Sequence, residues 1–578
     1  MKTSFLFRWV LCLFLFGGVV DTFAQSKKLN RKERKERKDR ILAEDYFIEG
    51  ERYYMNEEYA KALWFFQESY KFNENNAATN FKIAEIKSKA NDLDDAYIYS
   101  SQAVALSPEN KYYRLLLAEI LSNQNRLEEA TAILEDLVND VEGTEYYLFD
   151  LASLYLYQSK FEEALVVLDK AESYFGVIDQ ISFQKQRIYL RLNKLDQAIA
   201  EGKTLIEKYP GDGRYVLTLV EILAANNRTR EAISLIKESL AINPDQPTLD
   251  LTLYKVYKLL GEKENAAIYL KKSFDSPDLA AEDKAKVIAD MLREYPSADL
   301  NNTIDKLAAQ IIDMHPENDQ SYGINGDVQL ARNNKEEALG YYRQANELNK
   351  ENENVWSTLL SLLLEKSDWE NLYDYSLEAV EYFEKKPEFR FFLGTAQLIQ
   401  KDYDGAIEAL EKANELVKNN KELKRLINSQ LGDAYYGADR PEDAFETYEK
   451  VLIDFPEDAQ VLNNYSYYLA LQNKNLNRAK VLSAQLVKLY PRNANYLDTH
   501  AWVLFKLGDY KSAKEYQERA LSLTNNPSAE MLEHLGDILS KLGDSEGAVT
   551  QWKRAKEKMA DSATLSEKIA TGKYQESQ

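Results

Sequence analysis

A recurring alanine constrains this chain more than any other feature. Ala62, Ala96, Ala130, Ala164, Ala198, Ala232 and Ala266 stand 34 residues apart without a slip. The spacing resumes at Ile304, Ala338, Leu372 and Ala406, and Ala444, Ala479, Ala513 and Ala548 continue it at intervals of 38, 35, 34 and 35. Fifteen units are counted from about Ala43 to Ala560. A fixed period of this size means stacked supersecondary units, none of which can bury its apolar face alone.

Other positions keep the same beat. Twelve residues before the marker a small side chain recurs, at Gly50, Ala84, Ala118, Ala152, Gly326, Gly394, Gly432, Ala501 and Gly536, which lets two helices of one unit approach closely. Seven residues after it another recurs, at Ser69, Ala103, Ala171, Ser239, Ser273, Ala345, Ala379, Ala413, Ala520 and Ala555, where the next unit packs. Pro108, Pro210, Pro244, Pro316, Pro456 and Pro491 fall twelve after the marker. Proline lacks an amide hydrogen and clashes with the preceding turn, so a helix must stop there.

On these residues the chain resembles the tetratricopeptide-repeat (TPR) family over nearly all its length, the family's unit being a helix-turn-helix of this period. The resemblance implies an all-α fold, a right-handed α-α superhelix of about fifteen repeats: 43–274 as repeats 1–7, 275–318 as a degenerate repeat 8, 319–560 as repeats 9–15 and 561–578 as a capping helix and tail. The last three units, with "LNNYSYYLA", "YLDTHAWVLFKLGDYKSA" and "MLEHLGDILSKLGDSEGAVTQWKRA", are similar to the C-terminal repeats of exported bacterial TPR proteins. That class implies a scaffold in the cell envelope and no single activity.

Two stretches break the register. Between Asp275 and Pro316 it slips by four, and neither Leu292 nor Ile304 is the expected small residue, although amphipathic segments around Lys284 to Glu294 and Thr303 to Met314 predict a helix pair. Four extra residues near Lys418 to Lys424 predict a helix longer by about one turn.

The beginning of the chain reads as an address. Lys2 and Arg8 precede an apolar run from Val10 to Val20, and Thr22-Phe23-Ala24 offers a small-x-small cleavage site before Gln25, the layout of a secretory signal peptide over 1–24. Eleven apolar residues as a helix reach roughly half the hydrocarbon thickness of a bilayer. The only cysteine, Cys12, lies inside that run, so cleavage leaves none, and a long cysteine-free export product fits a bacterial periplasm. The sequons at Asn227, Asn301 and Asn464 are then incidental.

Charge and composition close off several functions. The formal net charge of −22 repels nucleic acid. Residues 25–42 open with the exception, a basic segment whose Lys27 to Arg40 stretch holds nine Lys or Arg against three acids. It reads as a solvated helical extension, the other reading being contact with an anionic surface or acidic partner. Without thiols there is no Cys nucleophile, thiolate zinc site or iron-sulfur cluster. His500 and His534 lie one repeat apart, near Asp498 and Glu533, but fall short of a full ligand set and read as satisfied polar residues. The many carboxylates read as solubilising surface groups. No phosphate loop or nucleophile elbow is found, and no cofactor, metal or catalytic residue is expected.

What remains is surface. In this family the first helix of each unit lines a concave face, which fifteen units extend over roughly 150 Å. The fifth positions of early units are Phe47, Phe81, Phe149 and Phe183, and one helical turn on stand Glu51, Glu85, Glu119 and Arg187, flanked by Tyr54, Tyr112, Tyr146 and Tyr157. These residues are either packing groups or the anchors of a groove for a partner segment with apolar residues and a few Lys or Arg. The expected function is a non-catalytic scaffold or adaptor in the cell envelope, binding proteins or peptide segments. The alternative is an accessory subunit of a periplasmic enzyme such as a peptidoglycan hydrolase.

Overall fold

The computed structural model describes residues 30–294, 298–558 and 563–575, and every regular element in them is helical. Thirty α-helices pair into fifteen hairpins, each a helix A followed by a helix B, and a last helix, Ala563–Thr571, follows them. The all-α repeat architecture read from the alanine spacing is therefore what the chain adopts. It divides into two compact units, one ending at Leu270 and the other beginning at Lys271. Within each unit, helix A packs on helix B of its own repeat, and helix B on helix A of the next. Helices of thirteen or fourteen residues, such as Ala77–Lys89 and Leu93–Leu106 in repeat 2, are marginal alone, so stacking supplies their stability.

The markers mark the core. Ala62, Ala96, Ala130, Ala164, Ala198, Ala232, Ala338, Ala406, Ala444, Ala479, Ala513 and Ala548 are all fully buried. So are Ser69, Ala103, Ala171, Ala345, Ala379, Ala413, Ala520 and Ala555, seven places on. Four of the five glycines twelve places before the marker face an aromatic ring, which spacing alone did not reveal; the fifth, Gly394, faces Leu410. A Cβ on Gly50, Gly326, Gly432 or Gly536 would lie 2.4–2.8 Å from the ring of Phe66, Tyr342, Tyr448 or Trp552, each sixteen residues later. Where the opposing residue is smaller, as with Ser100, Leu134 or Leu168, the first position is Ala84, Ala118 or Ala152.

Turns repeat as faithfully as helices. Five residues before the marker, the hairpin turn holds a left-handed residue: Asn91, Asn125, Asn193, Asn227 and Asn333 all have φ between 55° and 62°. Asparagine and glycine tolerate that region because asparagine's short amide can bond locally and glycine has no Cβ. Helix B ends at Leu106, Lys208, Ile242, Met314, Asp454 and Leu489, each two residues before one of the six prolines.

Both irregular stretches are helical. Repeat 8 forms Ala281–Leu292 and Ala298–Met314, its intervening turn lying partly outside the described residues. Its helix A buries Lys284 completely, with the ammonium donating to the Ser276 carbonyl at 2.8 Å and lying 3.1 Å from His315 Nε2. In repeat 12 helix A runs Lys421–Gly437, seventeen residues against the usual thirteen, so the insertion adds the expected turn.

The basic segment is a solvated extension. Helix A of repeat 1, Arg31–Met55, begins at a capping box in which Asn30 and Glu33 satisfy each other's backbone amides, and Arg31 to Lys38 are exposed. The segment read as a leader, with its expected cleavage site at Ala24–Gln25, and Lys27 lie outside the described residues. Among the described residues no helix is long and apolar enough to cross a membrane.

Candidate protein-binding surface

Among the described residues, helix A of many hairpins touches helix A of the next, as Ala77–Lys89 does Lys111–Asn123, and no pair of B helices meets as closely. The A helices thus line the tighter side of each stack, and a partner lying there meets their side chains.

The fifth-position phenylalanines lie half-buried against other rings. Phe47 meets Phe66 with centroids 5.4 Å apart, Phe81 meets Tyr113 at 4.9 Å, Phe149 meets Phe175 at 5.5 Å, and Phe183 meets Tyr215 at 6.1 Å. Such pairs fix the spacing of neighbouring helices.

The acidic stripe is not free as the sequence suggested. Lys82 reaches Glu51 at 3.5 Å and Glu85 at 3.2 Å, and its ammonium lies 4.1 Å from the centre of the Tyr54 ring. The Tyr54 hydroxyl donates to Glu85 at 2.6 Å, and burial together with that carboxylate raises its pKa. Glu51, Glu85 and Tyr54 therefore form an internally compensated cluster around Lys82, a residue the sequence reading passed over. Its signal was available: Lys82 precedes Glu85 by three residues on one helix face. Glu119 and Arg187 are exposed, with no such partner among the described residues. Three tyrosines stand out into solvent: Tyr112 is 60% exposed, Tyr146 75% and Tyr157 83%. Tyr146 leans on Phe175 at 5.0 Å, while Tyr112 and Tyr157 project from helix A of repeats 3 and 4.

The histidines of repeats 14 and 15 have separate partners. His500 Nδ1 lies 2.8 Å from the Ser483 hydroxyl, with the ring edge-on to Tyr516, and burial pulls its pKa down to about 4. His534 Nδ1 lies 3.0 Å from Asp498, and the imidazole stacks on Trp502 with centroids 4.0 Å apart. Burial opposes its protonation, but the Asp498 carboxylate outweighs that and raises its pKa. No group of three or more His, Cys, Asp or Glu among the described residues is arranged to hold a metal ion.

The carboxylates taken as surface groups include buried ones here, which corrects that expectation. Asp498 also accepts from the Gln517 amide. Asp537, 2% exposed, accepts from the Trp552 indole at 2.9 Å and from Lys568 at 2.8 Å. Lys568 comes from the last helix and also reaches Glu533 at 2.8 Å. It stands 31 residues after Asp537, as Lys82 does after Glu51, so the helix Ala563–Thr571 takes the place of helix A in a sixteenth unit.

Tetratricopeptide-repeat family profiles match residues 89–148, 187–247, 374–420, 429–494 and 494–527. No curated protein matches the chain. Solved structures with similar helical stacking include Naa15/Naa10 bound to HypK-THB, at 14% identity and TM-score 0.39, covering 94% of this chain and 92% of that one. Yeast Tom70 matches at 16% identity and TM-score 0.30, covering 92% and 94%. A tetratricopeptide-repeat protein from Parabacteroides merdae matches at 12% identity and TM-score 0.36, covering 44% of this chain and 98% of that one. None of these likenesses carries an argument about function.

Proposed function

We propose that this chain, a tetratricopeptide-repeat protein, is a non-catalytic scaffold of the bacterial cell envelope that holds segments of other proteins along its A-helix face. The observation that carries the reading is the exposure of Tyr112 and Tyr157 on the A helices of successive repeats, beside exposed Glu119. Tyrosine in such a position offers a large amphipathic contact at little entropic cost, which is why binding hot spots are rich in it. Ring pairs on the same two A helices, Phe81 with Tyr113 and Phe149 with Phe175, fix their spacing from neighbouring helices and so support the tyrosines. Glu119 adds preference for a partner segment with Lys or Arg.

Export to the periplasm rests on the leader sequence. N-terminal sequencing of the mature protein from fractionated cells tests it, with a start at Gln25 in the periplasmic fraction expected and a start at Met1 in the cytosol contradicting it. The binding reading is tested by pull-down from cells with Tyr112→Ala, Tyr157→Ala and Glu119→Lys combined. These side chains are exposed and the fold does not use them, whereas reversing Glu51 or Glu85 would break the Lys82 cluster. Loss of a partner retained by the parent protein is expected; unchanged recovery contradicts the reading.

A further inference from the structure

The inserted turn in repeat 12 does more than lengthen a helix. It raises the start of helix Lys421–Gly437 beside the end of helix B in the same repeat, Pro441–Asp454, and a cavity of about 360 Å³ opens between them. Lys421, Lys424, Arg425 and Lys450 line it against a single acid, Asp454. In a chain of net charge −22, four cations around one opening run against the average.

Their pairing shows where positive charge is left over. Arg425 is engaged by Glu422 at 3.0 Å and by Asp458, and Lys450 by Glu446 at 2.8 Å. Lys421 and Lys424 have no carboxylate within ion-pair distance among the described residues. Both stand in the first turn of their helix, where unpaired backbone N–H groups already present positive charge. Cations there are unfavourable unless an anion is nearby.

The cavity is not only cationic. Ile453 lines it while 78% exposed, and Phe455 forms its inner end. A second cavity, of about 610 Å³, shares Arg425, Asp454 and Phe455 with the first, but Glu457 and Asp458 join Asp454 in its wall, so it does not suit an anion. A compact anion would use only the lysines of the first cavity, whereas an acidic peptide also covers Ile453 and Phe455.

We propose that the first cavity binds an acidic peptide segment of a partner protein, its carboxylates at Lys421 and Lys424 and an apolar side chain against Ile453 and Phe455. The site belongs to the second compact unit and Tyr112 and Tyr157 to the first, so it stands independently of the reading of the A-helix face.

The test measures fluorescence anisotropy of a labelled peptide of alternating Glu and Leu on the full chain. Lys32, Lys35 and Lys38 are changed to Gln throughout, so that the basic N-terminal helix does not compete. Saturable binding is expected, weakened roughly tenfold by Lys421→Glu with Lys424→Glu and severalfold by Ile453→Ser, with unaltered melting since all three side chains are exposed. No saturable binding, equal binding of a Gln and Leu peptide, or an unchanged Kd in the double variant would overturn the proposal. So would displacement of the peptide by millimolar inorganic phosphate at constant ionic strength, which marks a site for free anions.

Discussion

Removing Lys568 should unfasten the end of the stack. Lys568 is 1% exposed, its ammonium lies 2.8 Å from both Asp537 and Glu533, and Asp537 is itself 2% exposed. In Lys568→Ala the Asp537 carboxylate keeps one neutral donor, the Trp552 indole at 2.9 Å, in a place where burial already pushes its pKa upward. Stranding a buried charge by removing its partner costs about 3–5 kcal/mol. The nine-residue helix Ala563–Thr571 is too short to persist alone, so the loss falls on it and on the hairpin it covers. In a stack whose units sense only their neighbours, repeats 1–7 should not respond. Amide hydrogen exchange is therefore the assay. Exchange in Ala529–Thr571 should quicken by roughly two to four powers of ten, since each 1.4 kcal/mol is a factor of ten, while exchange before Leu270 is unchanged. The defect should shrink as pH falls, because a protonated Asp537 strands no charge. Lys568→Met combined with Asp537→Leu should restore most of the protection. Exchange in Ala529–Thr571 within twofold of the parent, or an equal increase throughout the chain, would refute this reasoning.

Other expectations follow from the same packing. Gly432→Ala places a Cβ 2.4 Å from the Tyr448 ring and should destabilise by about 1–3 kcal/mol in thermal or urea melts. His534, with its pKa raised, contributes stability that is whole below the unfolded value near 6.5 and is lost as pH rises through the folded value. The deficit of His534→Gln should thus be larger at pH 6 than at pH 9. His500, lowered to about 4, does the opposite: its contribution is whole above about 6.5 and lost as pH falls toward 4, so His500→Asn should flatten the acid limb of the melting profile.

Much of this architecture was legible because it is periodic. A buried alanine every 34 residues leaves the same trace fifteen times, apart from Ile304 and Leu372, where a larger apolar side chain fills the place and is still buried. The added turn at Lys421 was legible too, since four extra residues in a helical pattern have few other outlets. What escaped notice was pairwise. Lys82 binds residues three and 31 places away, Trp552 fits over a glycine sixteen places back, and Asp498 receives His534 from 36 places on. Each partner alone resembles an ordinary surface or core residue. The buried Lys284 and Lys568 were hidden for the same reason, because a lysine in a helix reads as solvated until its neighbours are known.

The central claim, that the A-helix face holds other proteins, is tested most directly by photo-crosslinking in living cells. Benzoylphenylalanine placed at Tyr112 or Tyr157 should give discrete adducts with the same partner, while the same group at Val166, 69% exposed on helix B of repeat 4, should not. Adducts at Val166 and none at the two tyrosines would contradict the account.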